Sequence, residues 1–124
     1  MITTVKSLNW FIRLDGLVLV VLGILFWTGN APNLVMLHMA LGALLVLALW
    51  LLAIAAAFAR APLTSPILAL IWGALALWLG LTQDSLLLGS PHWIVQTLHL
   101  LVGIGAIGIA QWVASSLPGN RRAT

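Results

Sequence analysis

The sequence predicts an all-α protein: a four-helix transmembrane bundle formed by tandem repetition of a two-helix hairpin, with residues 1–124 as one integral membrane domain. Three observations predict it. First, 63% of the 124 residues are apolar and only seven side chains are charged, five Lys or Arg against two Asp or Glu. A water-facing surface needs roughly a quarter to a third charged residues, so the 6% present here excludes a soluble domain. Second, three stretches hold no Asp, Glu, Lys or Arg: Gly16 to Ala59, Ala61 to Gln83 and Ser85 to Asn120. Each exceeds the ~20 residues that cross a bilayer core of ~30 Å, and the first and last contain a break. Third, a shift of 61 residues lays Leu37-His38-Met39-Ala40-Leu41-Gly42 on Leu98-His99-Leu100-Leu101-Val102-Gly103, and Arg60 on Arg121.

The elements follow in order. The first helix runs from about Trp10 to Trp27 and stops at Thr28-Gly29-Asn30-Ala31-Pro32-Asn33, a cluster that cannot continue a helix. Pro32 directly after Gly29-Asn30-Ala31 is a poor context for signal-peptide cleavage, so this segment reads as a retained crossing. The second helix runs from about Asn33 to Ala59. Arg60 suits its C-terminal dipole and Pro62 forbids extension. Ser65 is placed to cap the third helix, with Pro66 at its first position, and that helix runs to Thr82. Gln83 to Ser90 forms an exposed turn. The Ser-Pro pair recurs at Ser90-Pro91, and the fourth helix runs from Pro91 to about Leu117, before Pro118-Gly119-Asn120.

With four crossings, Lys6, Arg13, Arg60, Arg121 and Arg122 all fall on one side of the membrane and the opposite loops hold no cation. The positive-inside rule then puts both termini in the cytoplasm, in a multi-pass protein of the cell (inner) membrane with no extramembrane domain. Trp10 fits the inner interface, and Trp27, Trp78 and Trp93 the outer one; Trp50 and Trp72 lie deeper and read as packing residues.

Composition also narrows the chemistry. The net charge of +3 comes from scattered cations and does not indicate nucleic-acid binding. Without cysteine there are no disulfides, thiolate metal sites, iron–sulfur clusters or covalent c-type haem. There is no carboxylate pair and no nucleophile with a base. Gly103-Ile104-Gly105-Ala106-Ile107-Gly108 matches a dinucleotide fingerprint letter for letter, but it lies inside an apolar helix with no preceding strand; its content is a small-residue face. Asp15 reads as a hydrated interfacial carboxylate, paired with Arg60 or Arg121; its functional alternative is a proton-handling role.

Histidine is the ligand type that remains. His38 lies five residues after Asn33 and His99 eight after Pro91, which puts them about 8 and 12 Å below the outer ends of their helices. In each helix a glycine, Gly42 or Gly103, follows one turn below on the same face and leaves room for a flat ring. His-x-x-x-Gly on two facing helices is what one bis-histidine haem b, held non-covalently, requires. His38 and His99 are the candidate iron ligands, with the macrocycle edges against Gly42, Leu45, Gly103 and Ala106. A structural interhelical hydrogen bond, worth ~1 kcal/mol, and another pigment or metal, above all a chlorin on one imidazole, are the competing readings. His92, beside Trp93, reads as an interfacial residue. Its functional alternative is a partner for haem propionates, a role shared with Asn33, Ser90 and Gln96.

Paired His-x-x-x-Gly helices in a short four-helix membrane bundle resemble the b-type cytochromes, in particular the cytochrome b561-like group. The resemblance covers the second and fourth helices. It implies haem b and single-electron transfer at the outer face, between quinol or quinone and a periplasmic or partner-subunit redox centre. Members usually carry two haems on four histidines, whereas this chain has no histidine in its first or third helix, so a two-haem relay is not implied. The alternative from another class is a non-catalytic anchor or assembly subunit of a larger complex, its histidines bridging helices.

The orientation is testable by accessibility labelling of single-cysteine variants in intact cells. Asn30→Cys and Ser90→Cys should react with an impermeant maleimide from outside and Arg60→Cys only after permeabilisation; external labelling of Arg60→Cys would invert the topology.

Overall fold

The computed structural model describes residues 2–118. It folds into four consecutive antiparallel helices: α1 (Ile2–Trp27), α2 (Val35–Phe58), α3 (Thr64–Thr82) and α4 (His92–Ser116). No strand occurs among the described residues. All four helices are long and apolar enough to cross a membrane, and the chain is a multi-pass membrane protein. In lipid the backbone finds no water to bond, which is why each crossing is a continuous helix. Each helix packs against its chain neighbours, α4 closes the ring on α1, and α2 and α4 also touch across the diagonal. Leu14, Leu17, Val21, Leu47, Ile71, Leu101 and Ile104 are among the large apolar side chains left on the outside.

Two turns end helices in the same way. After α1, Gly29 takes φ 77°; its N–H bonds the Phe26 carbonyl (2.9 Å) and the Asn30 N–H bonds that of Leu25 (2.8 Å). After α2, Arg60 takes the left-handed position itself (φ 55°), with Arg60 N–H on the Ala57 carbonyl and Ala61 N–H on that of Ala56, both 3.0 Å. Both are Schellman closures, a place where glycine is the usual occupant.

The structure corrects several expected boundaries. α1 begins at Ile2 and not near Trp10, because nothing before Gly16 breaks a helix; the apolar stretch marks where lipid begins. A single 3₁₀ turn, Pro32–Leu34, precedes α2 and delays it to Val35. Ser65 does not cap α3, which starts one residue earlier at Thr64. Its hydroxyl bonds the Pro62 carbonyl (3.0 Å) and meets the buried Ser116 hydroxyl at 3.0 Å, tying the start of α3 to the end of α4. Ser90 likewise makes no cap: α4 starts at His92, with Pro91 at the cap position and no side-chain bond there. Arg121 and Arg122, two of the cations used for orientation, lie outside the described residues.

Close approach of the helices rests on glycines that receive large side chains from the next helix. A Cβ on Gly73 would fall on the Trp50 indole, one on Gly105 on the Trp72 indole, and one on Gly16 on the end of Ile107. Each indole N–H also donates to the backbone it meets, Trp50 to the Leu70 carbonyl (3.2 Å) and Trp72 to that of Val102 (2.9 Å). The expected packing role of both tryptophans is therefore met. Asn9 and Gln111 clasp α1 to α4 by reciprocal amide bonds of 3.3 and 2.7 Å.

The apolar core is lopsided. Ile12, Leu45, Leu49, Leu52, Ala56, Ala106, Ala110 and Val113 are buried in one cluster, which fills the middle of the bundle and the half nearer the start of α1. The opposite half contributes only scattered buried apolar residues such as Leu22, Leu79 and Val95.

Gly105→Ala should displace the Trp72 ring and break its bond to Val102. We expect a loss of about 1–3 kcal/mol, the usual cost of overpacking, measured by reversible denaturation in mixed micelles; Gly108→Ala, in a helix position with open space, should be near neutral.

Candidate functional site

His38, in the first turns of α2, and His99, two turns into α4, meet across the diagonal in the loosely filled half. Their ring centroids are 6.1 Å apart at an interplanar angle of 55°. The equal depth expected from loop-to-histidine spacing is thus realised as contact. Phe26, near the end of α1, stands edge-on to His38 with centroids 5.4 Å apart.

The neighbouring helices make room with glycine. A Cβ on Gly23 of α1 would lie 3.9 Å from His38 Cε1, and one on Gly80 of α3 would lie 3.3 Å from His99 Cε1. Each hairpin therefore offers a glycine on its first helix to the histidine on its second, as a duplicated unit would. Gly42 and Gly103 lie one turn below the histidines, and a Cβ at either would meet nothing within 4 Å. Leu45 and Ala106, another turn down, belong to the buried core and form the floor of this region.

Both imidazoles carry a buried Nδ1 with no hydrogen-bond partner. A buried polar atom without a partner is costly, and membrane histidines are expected to pair with something. No direct bond between the two rings satisfies them, which goes against the structural hydrogen bond. A shared metal would. Two imidazoles bonded to one metal at ~2 Å, with ring centres about 1 Å behind the nitrogens, have centroids roughly 6 Å apart, and the observed separation is 6.1 Å. Among the described residues no three His, Cys, Asp or Glu side chains come together. Two imidazoles fill only part of a coordination sphere, so a metal held by this donor set would need further ligands from outside the protein.

His92 sits apart at the outer end of α4, and its Nδ1–H donates to the Leu86 carbonyl (3.1 Å). That bond gives it a local role in holding the α3–α4 loop. Asp15 departs from expectation. It is only 6% exposed, and neither carboxylate oxygen has a partner, so it is neither hydrated nor paired with Arg60; Arg121 lies outside the described residues. The early start of α1 moves Asp15 to mid-helix, about 20 Å from Ile2.

Sequence reasoning missed Gly23, Gly80 and Phe26 as neighbours of the pair. The available signal was a glycine inside each odd-numbered helix, near its outer end. No family model, curated protein or solved structure matches this chain, so the functional reading rests on this geometry.

Proposed function

We propose that the chain is a membrane b-type cytochrome that holds one non-covalent haem b between His38 and His99 and passes single electrons at the outer side of the cell membrane. The observation that carries this reading is the facing pair of imidazoles, 6.1 Å apart, each with a buried nitrogen that nothing in the protein satisfies. His38 and His99 would hold the group, each through one imidazole nitrogen, from positions on α2 and α4 that face across the bundle. Gly42 and Gly103 leave the space below the axis clear, while Gly23 and Gly80 let α1 and α3 close against the rings. Leu45 and Ala106 form an apolar floor that keeps water from the site. When bound, the haem supplies reversible one-electron chemistry through its iron. Bis-imidazole ligation leaves no position for oxygen or a substrate, so the reading is electron transfer and not haem-based oxygen chemistry. The apolar outer walls suit a membrane quinol or quinone as one exchange partner, with a periplasmic or partner-subunit redox centre as the other.

The test is an absorption spectrum of purified protein from haem-replete cells, oxidised and then reduced with dithionite. We expect a low-spin six-coordinate spectrum with a sharp reduced α-band, lost in His38→Ala and in His99→Ala. Gly42→Leu and Gly103→Leu should weaken binding by intruding on the ring, while His92→Ala should retain ligation. A colourless wild-type protein would overturn the reading in favour of a membrane anchor.

A further inference from the structure

Among the described residues, four buried side-chain polar atoms lack a hydrogen-bond partner: the two Asp15 oxygens and one Nδ1 on each of His38 and His99. The two nitrogens belong to the facing imidazoles, and the two oxygens lie on α1 below them. Asp15 adjoins Gly16, where a Cβ would lie 3.5 Å from Leu45 and collide with Ile107, so the carboxylate stands at the level of the apolar floor below the histidines. Along α1 it is eight residues from Gly23, the glycine facing His38, a rise of about 12 Å.

Among the described residues, the titratable side chains on the helices packed against α1 are the histidines. On α1 the other charged groups, Lys6 and Arg13, are exposed. Of the helices packed against α1, α2 carries only His38 as a titratable group, and α4 carries His99 and His92, the latter at the outer end. α3, across the diagonal, carries none. Two unit charges roughly 12 Å apart at an effective dielectric of about 20 alter each other's ionisation about tenfold. Toward the start of α1, the half-buried Asn9–Gln111 amide pair makes the α1–α4 interface polar two turns below Asp15.

We propose that Asp15 is a proton-binding site coupled to the electron on the His38–His99 haem, so that the protein takes up a proton when it is reduced and releases it when it is oxidised. This rests on the haem reading. One electron comes from a quinol, which releases one proton to water and is left oxidised by one electron until a second turnover takes the other; the electron lowers the charge of the site by one. A proton from water at the end of the bundle bearing the start of α1 then forms one O–H bond on the Asp15 carboxylate and restores the balance. Reoxidation breaks that bond and returns the proton to water.

The experiment is a spectroelectrochemical titration of the haem-loaded protein from about pH 5 to about pH 9, with reduced-minus-oxidised infrared spectra. The wild-type midpoint potential should fall as pH rises, by up to about 59 mV per unit for one proton per electron. Reduction should add a protonated-carboxyl band that shifts in D₂O. Asp15→Asn should keep the absorption spectrum, lose the infrared band and retain only the slope contributed by the haem's own propionates. Equal slopes in wild type and variant, or no carboxyl band in the wild type, would overturn the assignment and leave the cytochrome reading intact. Where Asp15→Asn fails to fold, Asp15→Glu decides the matter: the band should persist at a shifted frequency, and a band unchanged from wild type would assign it to the propionates and overturn the proposal. A colourless protein overturns both.

Discussion

The structure depends on close approach of helices at glycine. Lipid tails are as apolar as leucine, so burying leucine between helices gains little, and association must come from dispersion contacts and a few polar bonds at short range. This chain meets that constraint by setting a bulky group from one helix into a glycine notch on the next: Trp50 into Gly73, Trp72 into Gly105, Ile107 into Gly16. The tryptophans add an N–H bond to a neighbouring carbonyl, and that bond fixes rotation as well as distance. A helix so fixed in rotation presents its polar residues in a set direction, and the encounter of His38 with His99 follows from it.

The same device shapes the site differently. At Gly23 and Gly80 the group received is an imidazole, and the surrounding half of the bundle is not filled by the cluster of leucine, alanine and valine that occupies the other half. Native interiors are close-packed, and a region that its own side chains leave thin is where a bundle places a ligand. Among the described residues the buried side-chain polar atoms without a partner belong to Asp15, His38 and His99, whereas Asn9–Gln111 and Ser65–Ser116 meet one another.

Helix number, order and most C-terminal ends were legible because charge and Gly/Pro punctuation are read along the chain. The histidine pair was legible because depth is also one-dimensional: counting from each outer turn brought both rings to one level. The start of α1 was not, since Thr3, Ser7 and Asn9 are polar yet compatible with helix, and apolarity reports solvent before it reports backbone. That error carried Asp15 to the wrong environment. The expected Ser65 cap failed because a tertiary partner, Ser116, outcompeted a local one, and no local pattern announces such a partner. Gly23, Gly80 and Phe26 stayed hidden because the residue facing a ring depends on helix rotation, set by packing far from the ring.

A single pair near one end has consequences that a two-pair arrangement would not. From Leu45 to Phe58, α2 continues for thirteen residues, about 20 Å, through a core of leucine and alanine with no second pair of ligands. On the proposed cytochrome reading, an electron held between His38 and His99 would be insulated from the far end of the bundle, and donor and acceptor would both approach the histidine end or the flanks of the bundle near it. On the same proposal Asp15, next to Gly16 at the level of Leu45, would respond to that electron from the packed side. On this reading the protein separates the two carriers by geometry, with electrons exchanged at the histidine end and protons at the end where the Asn9–Gln111 pair leaves the α1–α4 seam polar.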